Sequence, residues 1–137
     1  MAIQQVLGFD YGEQRIGIAT GQAITRSANP VTTLNSINSK PDWAEIEKLI
    51  KQWQPDALIV GLPFYLDGSS SDMTKRAEKF SRQLEGRFNL PVFTHNEALS
   101  SFEAEQFLQG KKKQHNKQDI DKIAAAIIVQ SWLEQNT

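Results

Sequence analysis

A chain of 137 residues is long enough for one domain with a real hydrophobic core. With 39% hydrophobic and 23% charged residues it has the balance of a globular protein, which excludes a disordered chain. Absence of cysteine excludes disulfides and thiolate metal sites, and a net charge of -1 excludes a surface uniformly coated in positive potential.

The chain opens on Ile3 to Phe9, expected as a strand that runs through Asp10-Tyr11-Gly12-Glu13-Gln14 into a second strand, Arg15 to Thr20. Gly12 suits the turn of an antiparallel hairpin. This start lacks the basic n-region of a signal peptide, and no apolar run reaches the roughly 20 residues of a membrane span, so a cytoplasmic protein is expected. Asn29-Pro30 is expected to break the chain before a third strand, Val31 to Leu34. Pro41 opens a helix on which Trp43, Ile46, Leu49, Ile50 and Trp53 recur at helical spacing, and Gln54-Pro55 stops it. Ala57 to Val60 is a continuous apolar run, as in a strand covered on both faces. The serines of Asp67-Gly68-Ser69-Ser70-Ser71 can cap the next helix, whose stripe is Met73, Ala77, Phe80, Leu84 and Phe88. Pro91 to Thr94 reads as a last short strand. Ser100 and Glu103 form a capping box for a helix ending at Gly110, and Asp119 to Leu133 is an apolar closing helix.

Three antiparallel strands followed by two right-handed crossovers predict an α/β fold. It is one five-stranded mixed sheet with helices on both faces, three layers in all, within a single domain spanning 1–137. Proteins of the ribonuclease-H-like class have this layout.

Three carboxylates draw attention within that plan. Asp10 ends an apolar run, where it either forms the turn with Gly12 or serves a site. Glu97 follows the last strand by three residues, at the edge of a parallel sheet where ligands gather. Asp121 shares a helical face with Ala124, Ala125, Ile128 and Trp132. The helix dipole favours an acid there, but Asp119 can do that work from outside, so an inward task for Asp121 is expected. With no cysteine, and no histidine in step, three such acids make a hard oxygen site for Mg²⁺ or Mn²⁺. Two-metal hydrolysis of a phosphodiester is the chemistry this suits. Lys111-Lys112-Lys113 reads either as a solvated loop or as a contact to a phosphate backbone.

Four stretches together resemble the YqgF/RuvX family of Holliday-junction-resolvase relatives in the ribonuclease-H-like superfamily. They are Gly8-Phe9-Asp10-Tyr11-Gly12 with Arg15-Ile16-Gly17-Ile18-Ala19, Val60-Gly61-Leu62-Pro63 with Asp67-Gly68, Asn96-Glu97-Ala98-Leu99-Ser100-Ser101, and Asp121-Lys122-Ile123-Ala124-Ala125-Ala126. The likeness spans essentially the whole chain. It implies an endonuclease acting on the 5′ end of precursor 16S ribosomal RNA, with branched DNA as the other candidate substrate and a monomer or homodimer as the acting species. It gives Asp10, Glu97 and Asp121 the metal-binding roles and sets Arg15 near them. The chain departs from the family's usual Asp-Glu-Arg at the third motif, with Asn96 for the first acid and Ala98 for the arginine. A guanidinium that could hold phosphate in two places is thus missing. A non-cleaving RNA-binding module of the same fold is the alternative that these departures raise. An actin-like ATPase also begins with strand-Asp-x-Gly, but it needs two such domains.

Overall fold

The computed structural model describes residues 3–65, 67–96 and 117–137. The expected capping box at Ser100 and Glu103 and the helix ending at Gly110 lie outside these residues.

Five strands form one sheet: β1 Gln5–Tyr11, β2 Arg15–Gln22, β3 Ser27–Asn35, β4 Ala57–Leu62 and β5 Val92–Asn96. Their order is β3-β2-β1-β4-β5, with β1, β2 and β3 antiparallel and β4 and β5 parallel to β1. The β1–β2 hairpin pairs Tyr11 with Ile16. A Cβ on Gly12 would lie 2.6 Å from the Arg15 carbonyl, so the tight return of the chain explains this glycine.

Strand β3 differs from expectation. Pro30 does not stop the chain before β3 but stands inside it, opposite Ala19, where the β2–β3 register shifts. An edge strand with a bulge tolerates a residue that lacks an N–H, which an interior strand does not.

Helix α1, Trp43–Trp53, is capped by the Asp42 side chain, which accepts from the Glu45 N–H at 3.3 Å. It ends at Gln54 in the left-handed region, just before Pro55. Helix α2, Asp72–Phe88, begins with a reciprocal capping box between Ser71 and Thr74. Both hydroxyls also donate to the Pro63 carbonyl. Asp67 turns the preceding loop by accepting from Ser69, and Gly68 takes φ +87°. The Gly61-Leu62-Pro63…Asp67-Gly68 motif therefore fastens the start of α2 to the end of β4. Helix α3, Lys117–Asn136, is the last element.

The alternation of the strands distributes two cores. Leu7, Phe9, Ile16, Ile18, Leu58 and Val60 face α1 and α2, and pack with Ile46, Ala77, Phe80 and Leu84. Val6, Ala19, Ala57 and Ile59 face α3, and pack with Ala125, Ile128, Val129, Trp132 and Leu133. The three layers expected from the sequence are present.

Candidate active site

Strand β1 places Asp10 by its period of two. Val6 and Gly8 touch α3, so Asp10, two residues on, lies on that same face. Its pairing partner across the hairpin is Gly17. A Cβ on Gly17 would come within 2.0 Å of the Asp121 carbonyl oxygen and 2.3 Å of its carbonyl carbon. The first turn of α3 therefore rests on the backbone directly beside Asp10, and two residues 111 positions apart in sequence become neighbours. Gly8 and Gly21 extend the seam, since a Cβ at either would strike Val129 at 2.1 or 2.3 Å. Missing side chains on β1 and β2 are what let the helix come this close.

Asp121 is held by Arg15. The guanidinium Nε donates to Asp121 Oδ2 at 2.7 Å, the short distance of a charge-assisted bond. Both side chains are about a quarter exposed, 27% for Arg15 and 22% for Asp121, so the pair is shielded but open to solvent on one side. The inward face expected for Asp121 is present: Ala124, Ala125, Ile128 and Trp132 are all buried. Asp119 pairs instead with Lys122 at 3.4 Å along the helix surface.

A histidine also falls in step, contrary to expectation. β4 pairs Gly61 with His95, and Phe93 of the same strand meets Trp132 of α3 at 5.4 Å between ring centroids. His95, two residues on from Phe93, shares that face. Extending the β1–β4 register by one residue sets Asp10 beside Gly61. The row is then Gly17, Asp10, Gly61 and His95, with His95 about 10 Å from Asp10 at the usual strand spacing. Partial burial lowers the His95 pKa from its ordinary value, which favours the neutral ring. The sequence held this signal, because β5 continues two residues past the expected Thr94.

Of the seven residues singled out from sequence, Asp10, Asp121 and Arg15 share this edge. Glu97 and Lys111, Lys112 and Lys113 lie outside the described residues. Among the described residues no three histidines or carboxylates gather as a metal-ligand group. What the structure brings together is one strand acid and one helix acid, the latter with its arginine. Two short carboxylates on rigid elements fit a hard cation such as Mg²⁺, which takes one or two of them and fills its shell with water or phosphate oxygen.

The fold is that of the ribonuclease-H-like resolvases. Thermus thermophilus RuvC in complex with a Holliday junction substrate superposes with a TM-score of 0.58 over 96% of this chain and 94% of that one, at 13% identity. The fowlpox virus resolvase in its junction complex gives 0.60 over 96% and 98%, also at 13% identity. More narrowly, the chain belongs to the RuvX family: that family's profile, described as Holliday junction resolvase, matches residues 4–135. A relative from Pseudomonas fluorescens (strain Pf0-1), named "Putative pre-16S rRNA nuclease", is 51% identical over 100% of this chain and 97% of its own length. A Pseudomonas putida (strain KT2440) relative of the same name is 51% identical over 98% of each. No helix among the described residues is long and apolar enough to cross a membrane.

Proposed function

We propose that this chain is a cytoplasmic, metal-dependent endonuclease of one domain that processes the 5′ end of precursor 16S ribosomal RNA. The observation that supports the reading is the close approach of the Asp121 backbone to Gly17, the residue paired with Asp10, which makes a helix acid and a strand acid neighbours. The names of relatives about half identical to it support the RNA substrate.

In this reading Asp10, Asp121 and Glu97 hold Mg²⁺ or Mn²⁺. When bound, the ion supplies Lewis acidity that acidifies an attacking water and neutralises the leaving oxygen. Asp10 offers its carboxylate from a central strand, and Asp121 from the first turn of a buried helix, so neither rotates far from its post. Arg15 fixes the orientation of Asp121 through Nε and still carries four N–H groups on its terminal nitrogens, suited to a phosphate. Glu97 enters on the motif it shares with the family, and Lys111, Lys112 and Lys113 as contacts to the substrate backbone. Gly17 is covered by the first turn of α3, whereas Gly61, on the other side of Asp10, carries no side chain to oppose an approaching scissile phosphate.

Junction resolution is the second reading, favoured by the description of the family. It requires two symmetric cuts, and hence a two-fold pair of sites. The test is one cleavage assay in Mn²⁺ with structured precursor RNA, duplex DNA and four-way junctions as substrates. We expect the parent to cut the RNA and Asp10→Asn to cut nothing. Paired symmetric nicks in the junction alone would transfer the assignment to resolution. Binding of RNA with no cleavage would leave the non-cleaving module that Asn96 and Ala98 bring into question.

A further inference from the structure

On the opposite side of the sheet from Asp10 runs a groove of about 610 Å³ between α2 and the segment that leads into α1. Four cations line it, Lys40, Arg76, Lys79 and Arg87, above the rings of Tyr11 and Trp43. Among the described residues Glu13 is its one carboxylate, and it is paired with Arg76 at 2.9 Å. A chain of net charge -1 thus concentrates positive potential in one channel. Among the described residues no ion pair engages Lys40, Lys79 or Arg87.

The groove is built with regular spacing. Arg76, Lys79 and Arg87 lie at intervals of three and eight residues on α2, which keeps them on one helical face. They span about 16 Å at 1.5 Å per residue. The Arg87 guanidinium lies 4.2 Å from the centroid of Trp43, whose ring stacks on Phe80 at 5.6 Å. A guanidinium laid on an aromatic face keeps its in-plane N–H groups for an anion, and its position is already ordered. Tyr11, the residue after Asp10, lines the groove. Since successive strand residues face opposite sides, a polymer bound at Asp10 need only cross the sheet edge to enter the channel.

The geometry points to a single-stranded segment of the substrate, flanking the cleaved bond, lying in this groove with its phosphates on Lys40, Arg76, Lys79 and Arg87. This inference rests on the nuclease reading of the Asp10 edge. A single strand fits better than a duplex because the cations of α2 form one row and the Arg87 guanidinium, held flat on Trp43, offers a plane on which an unpaired base can stack. At about 3.4 Å of rise per stacked nucleotide, the cation row covers four or five nucleotides.

The test is fluorescence anisotropy in chelator, so that no cleavage intervenes, with the parent and the Lys40→Gln/Lys79→Gln variant. Both lysines are exposed, so neither change disturbs the core. The probes are a single-stranded RNA of about 12 nucleotides and a blunt RNA duplex of the same length. Two lost phosphate contacts should flatten the plot of log Kd against log salt by about 1.4 for the single strand. For those contacts alone, raising salt from 50 to 200 mM costs about sevenfold in affinity, and the variant should lack that loss. The duplex slope should be unchanged. An unchanged slope with the single strand, or an equal drop with both probes, would overturn the proposal. If the parent binds the strand with the expected slope yet cuts no RNA in Mn²⁺, the nuclease reading fails and the groove's ligand stands.

Discussion

Arg15 joins the two ends of the chain through one nitrogen, and its other nitrogens make it more than a structural pin. A pair this shielded contributes more than the few tenths of a kcal/mol of a fully exposed one, about 1 kcal/mol. Arg15→Lys preserves charge but has a single ammonium to divide between Asp121 and a phosphate. Loss of one charge-assisted bond of about 1.5–3 kcal/mol in the transition state corresponds to roughly 10- to 100-fold in kcat/KM. We therefore expect Arg15→Lys to fall in that range at matched Mn²⁺ while its melting temperature stays close to the parent's. Equal kcat/KM would reduce Arg15 to a strut for α3. Asp10 and Asp121 were legible in the sequence because an acid at the end of an apolar run and an acid on a buried stripe both violate the hydrophobic pattern. That they share one edge was expected as well; the contact that brings them together was not, since it depends on Gly17, whose role appears only when a Cβ is imagined there. His95 was missed because the strand was ended too early.

The glycines of β1 and β2 act at the level of the layer. Gly17→Ala would drive a methyl into the backbone of Asp121, which no rotamer change relieves. A loss of about 1–3 kcal/mol, the usual cost of overpacking, is expected in denaturant titration, together with reduced cleavage as the helix turn lifts. Gly8→Ala meets a side chain instead, Val129 Cγ2. Val129→Ala should therefore rescue much of the stability lost in Gly8→Ala, a coupling that the four-protein cycle measures directly. No such coupling should link Val129 to Gly17. A second element contact concerns the entry to β1. Asp56, just before β4, accepts from the backbone N–H of Gln4 at 2.8 Å and of Gln5 at 3.0 Å, and the Gln5 bond leads in holding its carboxyl below the ordinary range. A depressed carboxylate stabilises the fold above its unfolded pKa of about 3.9 and loses that contribution as pH falls through the folded value. Asp56→Asn should be less stable than the parent at neutral pH, by under about 1 kcal/mol since solvent screens the group. The two urea midpoints should converge below pH 3. Elements with strong local signals, such as the Ser71 cap and the Gln54-Pro55 stop, were readable directly. Pro30 was not, because whether proline ends a strand depends on the strand's place in the sheet.

For the whole molecule, strand order followed from connectivity: two right-handed crossovers after a three-stranded meander leave β1 in the centre and both acids at one edge. Metal binding should then be visible as a property of the entire fold. A ligand stabilises only the state that binds it, so excess Mg²⁺ should raise the melting temperature of the parent more than that of Asp10→Asn. In chelator the two should agree within about 1 kcal/mol, since the amide relieves charge repulsion that Arg15 already offsets in part. Equal metal-induced shifts would remove Asp10 from the site. Among the described residues the outer strands of the sheet are β3 and β5. At β3, Pro30 has no N–H to give an arriving strand, and the register shift beside it breaks the repeat that such a strand would have to match. The residue that interrupts the sequence pattern thus guards the β3 margin against pairing with another copy, and so against fibrous growth from that side, while leaving the fold itself undisturbed.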